Sequence, residues 1–134
     1  KMPEERVMKY FWDEKHKKRF INMVTEDNMS FRDIERVSLF YIISGNYELY
    51  INHKYVYDCR EHRICFTFKE LGINFSSGII SLIKLAFNLY NGWADEDTTP
   101  LNLLSSLDNI NLKLASNAIK IRFNSNLLDE LYSE

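Results

Sequence analysis

SSGIISLIKLAFNLYNG, residues 76–92, carries more structural information than any other stretch of this sequence. Ser76 or Ser77 suits a helix N-cap, whose side-chain oxygen accepts a free backbone N–H, and Gly92 suits the left-handed residue that ends a helix. Between them apolar side chains point in almost every direction around the helical axis. The exceptions are Ser81, Lys84, Asn88 and Asn91, which fall within one narrow arc at about 100° per residue. A helix that is apolar nearly all round needs neighbours on several sides, so this segment reads as a central helix of a mainly α fold. As a membrane span it fails, because the apolar run is too short and Lys84 lies in its middle.

On its N-terminal side, Tyr55–Tyr57 and Ile64–Phe68 have the β-branched and aromatic character of short strands, which predicts a small hairpin within 55–75. From Asn46 to about position 55, Leu49, Tyr50 and His53 keep a helical period. Upstream, FRDIERVSLFYIIS follows Ser30 and contains Asp33, spaced as in a capping box. Its last turns are apolar on all sides, and Gly45 is expected to close it as a left-handed cap. Asp13 caps the first helix, in which His16, Phe20, Met23 and Val24 share a face. On the C-terminal side, Trp93 is expected to fold back against Phe87 or Asn88. Thr99-Pro100 starts a short helix, and Asp108 caps the last long one, with Leu112, Ala115, Ile119 and Phe123 assigned to its inner face. The expectation is a mainly α, single-domain bundle of five or six helices over 1–134, with 1–10 allowed for as a loosely attached N-terminal segment.

A chain of 134 residues buries roughly 68% of its unfolded surface, enough for a core without disulfide or metal staples. Seventeen basic against nineteen acidic residues give a net charge of −2, which supplies no bulk attraction to nucleic acid or anionic membrane. The first twenty residues contain no uninterrupted apolar segment, so no signal peptide is expected. The expected location is the cytoplasm, with Cys59 and Cys65 as reduced thiols.

HKYVYDCREHRIC, residues 53–65, raises the question of a metal, since His53, Cys59, His62 and Cys65 are four ligands of the right type for zinc. The spacing argues against it. Two chelate loops would share His62, no glycine relaxes the turns, and a strand at 63–68 would turn Cys65 away from His62. A Cys59–His62 nucleophile–base pair is disfavoured too, because such pairs come from distant segments. The isolated glycines form no phosphate-cradling loop, and neither G-x-S-x-G nor H-E-x-x-H occurs. Nor does the Arg-x(4–6)-His of one class of small helical ribonucleases, because Arg60 precedes His62 by only two positions. Asp95-Glu96-Asp97 lacks the rest of a calcium loop. No metal, cofactor or catalytic residue is therefore assigned.

Several segments are familiar together: Arg36-x-Ser38-Leu39-Phe40-Tyr41-Ile42-Ile43-x-Gly45-Asn46, Tyr57-Asp58, Leu85-Ala86-Phe87-Asn88-Leu89-Tyr90-Asn91-Gly92 and Ala118-Ile119-x-Ile121-Arg122-Phe123. Over roughly 10–124 the chain resembles a family of small uncharacterised proteins of Gram-positive Firmicutes and their mobile elements. The resemblance implies a bacterial setting and an accessory or phage-linked role, with no activity to carry over.

The reading that follows is a protein-binding module without catalysis, whose partner is another protein or a second copy of the chain. Tyr47, Tyr50, Trp93, Asp95 and Asp97 are its candidate contact surface, because tyrosines cluster in this part of the chain and the loop joining two helices is a usual site of contact. The alternative is a nucleic-acid-binding regulator using Lys15, Lys17, Lys18 and Arg19, the one basic run. A third is a metal protein or enzyme built on 53–65. The stripe Ser81, Lys84, Asn88, Asn91 is read as the exposed edge of its helix, with a ligand groove along it as the competing reading.

Overall fold

The computed structural model describes residues 8–134. Helix α1 (Glu14–Asp27) begins where Asp13 accepts the N–H of His16, and it buries His16, Phe20, Met23, Val24 and Asp27. Helix α2 (Ile34–Gly45) is capped by Asp33, which accepts the Arg36 N–H at 3.2 Å. Ser30 is not the cap; its hydroxyl accepts from Arg32 N–H in the turn before the helix.

Gly45 also corrects expectation. It ends α2 without a positive φ, and the following Asn46 is extended. Its role is close approach: a Cβ at Gly45 would meet the Leu114 side chain, with Cδ2 at 2.9 Å, and His16 Cε1 at 3.1 Å. Asn46 then caps α3 (Tyr47–Ile51), accepting the Leu49 N–H at 3.0 Å. A single 3-10 turn (His53–Tyr55) leads into the hairpin.

Strands β1 (Tyr57–Asp58) and β2 (Arg63–Ile64) pair antiparallel, Tyr57 opposite Ile64 and Asp58 opposite Arg63. The expected second strand stops short. Past Cys65 the Phe66 carbonyl accepts from Lys69 and Glu70, which turns Thr67–Glu70 into helix α4 and buries Phe68. Helix α5 (Ser77–Asn91) is capped by Ser76 and closed by Gly92 at φ 81°. Helix α6 (Pro100–Leu104) is capped by Thr99 and α7 (Asn109–Phe123) by Asp108. Helix α8 (Leu127–Ser133) was not expected; it buries Leu128 and Leu131. With α4 and α8, the described residues form eight α-helices.

The centre of the molecule is α2. Val37 to Ser44 are buried without interruption, and α1, α5 and α7 pack on this helix. Each large apolar side chain so enclosed contributes about 1.5–3 kcal/mol. Helix α5 is one of the neighbours packed around α2 rather than the axis itself. The buried apolar residues form one cluster, so the fold is a single mainly α domain with a small hairpin. Several polar groups inside it are paired, while Trp12 Nε1 and the Tyr132 hydroxyl are buried without a hydrogen-bond partner among the described residues. The Tyr41 hydroxyl donates to the Tyr10 carbonyl and accepts from Asn117 Nδ2 at 3.2 Å.

The inner face of α7 is Leu114, Ala115, Asn117, Ala118 and Ile121. Of the row expected there, Ala115 is buried and Ile119 half-buried, but the two ends face outward: Phe123 is 75% and Leu112 38% exposed. The helix carries two apolar rows, and the Leu114 side chain fills the space that Gly45 leaves open on α2.

Residues 1–7 of the expected loose N-terminal segment lie outside the described residues. Tyr10 and Phe11 are buried, and the N–H groups of Lys9, Tyr10 and Phe11 donate to the Glu134 carboxylate. No described helix is long and apolar enough to cross a membrane.

Candidate functional site

The most concentrated polar chemistry surrounds Asp27, the last residue of α1. Its side chain is 1% exposed. Arg36 Nη1 donates to Oδ2 at 2.8 Å, while the Tyr57 hydroxyl at 3.0 Å and His62 Nδ1–H at 2.9 Å donate to Oδ1. A buried carboxylate requires such partners, and removing one partner of a buried pair typically costs about 3–5 kcal/mol. Burial, and then the bond to Asp27, pushes the Tyr57 hydroxyl far above the usual phenol range, so it stays a donor. Against the opposing effect of burial, Tyr57 and Asp27 hold the Arg36 guanidinium above its usual range.

The hairpin tip delivers His62 to this carboxylate. Asp58 Oδ1 accepts the N–H groups of Arg60 (2.9 Å) and Glu61 (3.3 Å), which closes the turn. His62 then takes φ 54°, a left-handed conformation worth about 1–2 kcal/mol of strain for a residue with a Cβ. Its side chain is 47% exposed.

The other members of the 53–65 group go elsewhere. His53 Nδ1–H donates to the Tyr50 carbonyl at 2.7 Å, and its Nε2 lies 3.3 Å from Glu26 Oε2. Cys59 Sγ donates to Glu26 Oε1 at 3.6 Å, and Cys65 Sγ to the Lys54 carbonyl at 3.8 Å. Burial and Glu26 raise the Cys59 thiol above its ordinary range, the wrong direction for a thiolate nucleophile. Among the described residues, no three His, Cys, Asp or Glu side chains are gathered as a metal ion requires.

Asp27 is the residue that sequence reasoning missed. The signal was Glu26-Asp27 at a helix C-terminus, where the macrodipole disfavours carboxylates and calls for cationic partners. Those partners arrive from segments distant in sequence.

The stripe on α5 is partly covered: Asn91 is exposed, while Ser81, Lys84 and Asn88 are half-buried. Lys84 Nζ lies 2.9 Å from Asp95 and 3.5 Å from Asp97, Ser81 Oγ meets Ser106 Oγ at 2.9 Å, and Asn88 Nδ2 donates to the Trp93 carbonyl at 3.0 Å. Asn91 Oδ1 accepts the Trp93 N–H at 3.0 Å. The four residues thus clasp the 92–99 loop and the end of α6. Trp93 folds back as expected, edge-to-face with Phe87 at 5.8 Å and tilted against Phe66 at 5.6 Å. Ser81 and Lys84 also line an open groove of about 350 Å³ with Ile80, Asp97, Asn102 and Leu103.

In the basic run, Lys15 and Lys18 are exposed and Lys17 half-buried. Arg19 is committed internally: Nε donates to the Ser44 carbonyl at 2.8 Å, and the guanidinium lies over Tyr47 and Tyr50. Tyr47 remains exposed, and half-buried Tyr50 stacks on His53 at 5.3 Å.

A second groove, between α5, α6 and α7, is apolar. Leu85, Leu89, Leu103, Leu104, Ile119 and Phe123 line about 210 Å³, with Asn88, Thr98 and Pro100 at its edges. Past Ile119 and Phe123 it continues into a shallower one with Lys9, Tyr10, Lys120 and Leu127. Ile119 and Phe123 of α7 form one wall, and the sequence signal was a helix with more apolar residues than one buried face uses.

A family model described as a family of unknown function (DUF6075) matches residues 7–133, and the chain belongs to that family. No curated protein and no solved structure matches it.

Proposed function

We propose that this member of a family of unknown function is a non-enzymatic protein-binding module, and that its binding site is the apolar groove between α5, α6 and α7. The observation that carries the reading is Phe123. A phenylalanine 75% exposed beside an open groove of aliphatic side chains is apolar surface that the core does not use, and such surface marks interaction sites. The occupant is an amphipathic segment of another protein that inserts apolar anchors beside Phe123 and sets an acidic side chain against Lys120. Lys120 is exposed at the Phe123 end of the groove and has no ion pair among the described residues. Tyr47, Tyr50, Trp93, Asp95 and Asp97 are then a secondary surface, since three of the five hold internal contacts around Lys84 and Phe87. An accessory or regulatory role in a bacterial mobile element or phage belongs to the same proposal and rests on the resemblance alone.

A photo-crosslinking residue at position 123 of the full chain, expressed in a native host, tests this. The expected product is a covalent adduct with one defined segment of a different protein, apolar with adjacent acidic residues, and lost in Leu104→Ser. An adduct only with a second copy would assign the groove to a homodimer. No adduct from a folded protein would refute the reading.

A further inference from the structure

We propose that His62 is a phosphoryl-accepting residue, phosphorylated at Nε2 by a donor of the acyl-phosphate or phosphoramidate class. This surface is independent of the apolar groove, and the proposal makes His62 a recipient of chemistry rather than a catalyst.

The argument begins with the tautomer. His62 Nδ1 lies 2.9 Å from a carboxylate oxygen, which can only accept, so Nδ1 carries the proton and the neutral ring has its lone pair on Nε2. No hydrogen bond among the described residues reaches Nε2, and the ring is 47% exposed. Asp27 cannot swing away, because Arg36 and Tyr57 hold its two oxygens in the interior. The backbone of His62 is held as well, since the Tyr90 hydroxyl donates to its carbonyl at 3.2 Å. The outcome is an imidazole fixed in orientation on a half-exposed side chain, with no hydrogen bond among the described residues on its nucleophilic nitrogen and a buried negative charge at the other.

The flanking residues point to the electrophile. Arg60 and Arg63 are exposed and have no ion pair among the described residues. Glu61, between them, is exposed and offsets one charge. Two exposed arginines within two residues of a nucleophilic histidine in the chain suit the oxygens of a phosphoryl group. In the transfer, the Nε2 lone pair forms an N–P bond as the bond from phosphorus to the donor's leaving group breaks. The leaving group departs with that electron pair. The ring becomes cationic, and the Asp27 carboxylate, hydrogen-bonded to Nδ1–H, offsets the charge as it develops.

The simpler alternative is that Asp27–His62 only pins the hairpin to α1. On that alternative His62 labels faster than His53 by access alone, since His53 Nε2 faces Glu26, and labelling of His62 is indifferent to Arg60 and Arg63. Incubation of the full chain with phosphoramidate, and separately with acetyl phosphate, distinguishes the two. Tandem mass spectrometry under alkaline handling locates the product, and phosphorus NMR identifies the nitrogen. The expected result is one phosphoryl group on Nε2 of His62, formed at least about tenfold faster than on His53 and absent in His62→Gln. In Asp27→Asn, Arg36 keeps the amide oxygen on its own side, so the NH2 faces His62 and moves the ring proton to Nε2. Labelling should slow by about tenfold or more, the scale on which outer partners act at oriented histidines. Should that variant not fold, the surface pair Arg60→Gln/Arg63→Gln serves instead. It should slow labelling by anionic acetyl phosphate and leave carbethoxylation of His62 by neutral diethyl pyrocarbonate unchanged. No phosphohistidine, equal rates at His53 and His62, or wild-type rates in the arginine pair would overturn the proposal.

Discussion

His16 has no exposed surface, and its ring is held between two backbone groups. The Trp12 N–H donates to Nδ1 at 3.2 Å, so Nε2–H donates to the Tyr41 carbonyl at 3.2 Å and the ring is neutral. Burial pushes its pKa down to about 4, against the partial relief of the bond to Tyr41. The unfolded chain protonates this histidine near pH 6.5 and the native protein only near pH 4. The stability it contributes is therefore present above pH 6.5 and lost as pH falls toward 4. At about 1.4 kcal/mol per unit, that loss reaches about 3 kcal/mol. Urea titrations of the wild type and of His16→Gln, which does not titrate, should show their difference shrinking by this amount between pH 7 and pH 4. A difference independent of pH would mean that the ring is not neutral and buried. Gly45→Ala addresses the second residue on which packing depends. Overpacking costs about 1–3 kcal/mol, against about 1 kcal/mol from the better helix propensity of alanine. Net destabilisation is expected, relieved when Leu114→Ala is added. The double-mutant cycle by chemical denaturation reads this coupling directly.

The caps at Asp13, Ser76, Thr99 and Asp108 were legible because a cap is a bond between a side chain and a backbone N–H two or three residues on. Helix ends and their chemistry are local. The face a helix presents is not, and α7 shows why. With apolar residues on two rows, it could have buried either, and in the fold Leu114 takes the Gly45 gap in α2, with Ala118 and Ile121 on the same buried face. The α5 stripe was read correctly as narrow and polar, but its cover comes from the 92–99 loop. The ammonium of Lys84 is held above its usual range first by its bond to Asp95, and Asp95 is held below its own range by Lys84 and then Thr98. Lys84→Met should cost below about 1 kcal/mol, as partly exposed ion pairs do. Hydrogen exchange at 93–99 should nevertheless quicken while the α5 amides stay protected. In the same element, Phe87 packs on Phe66 and Trp93. Phe87→Ala is expected to lose about 3–5 kcal/mol, and Asn88→Ala about 1 kcal/mol through its bond to the Trp93 carbonyl. Melting temperatures in that order check the orientation of the helix. The reverse order would mean that α5 is turned the other way.

At the scale of the molecule, Phe123→Ser separates binding from folding. An exposed position away from the core should shift stability by no more than about 0.5 kcal/mol, while removing an apolar wall of the groove. Denaturation curves that overlay, with Phe123→Ser unable to compete with the wild type for the segment captured through position 123, are the expected pair of results. Duplex DNA provides the contrast. With net charge −2 and Arg19 committed to Ser44, binding at physiological salt should be weak and indifferent to the Lys17/Lys18/Arg19 triple alanine. Sub-micromolar affinity with a steep salt dependence would favour the nucleic-acid reading. By itself the sequence determined the helical class, most helix starts, the reach of the main core helices and the position of the hairpin. These depend on periodicity and on bonds spanning a few residues. Only the tertiary structure decided that α2 is the hub, that Leu112 and Phe123 of α7 face outward, and that Asp27 gathers Arg36, Tyr57 and His62. Each of those depends on which segments, distant along the chain, compete for the same space or the same charge. A local pattern records that a side chain needs a partner, and the packed fold supplies which one it gets.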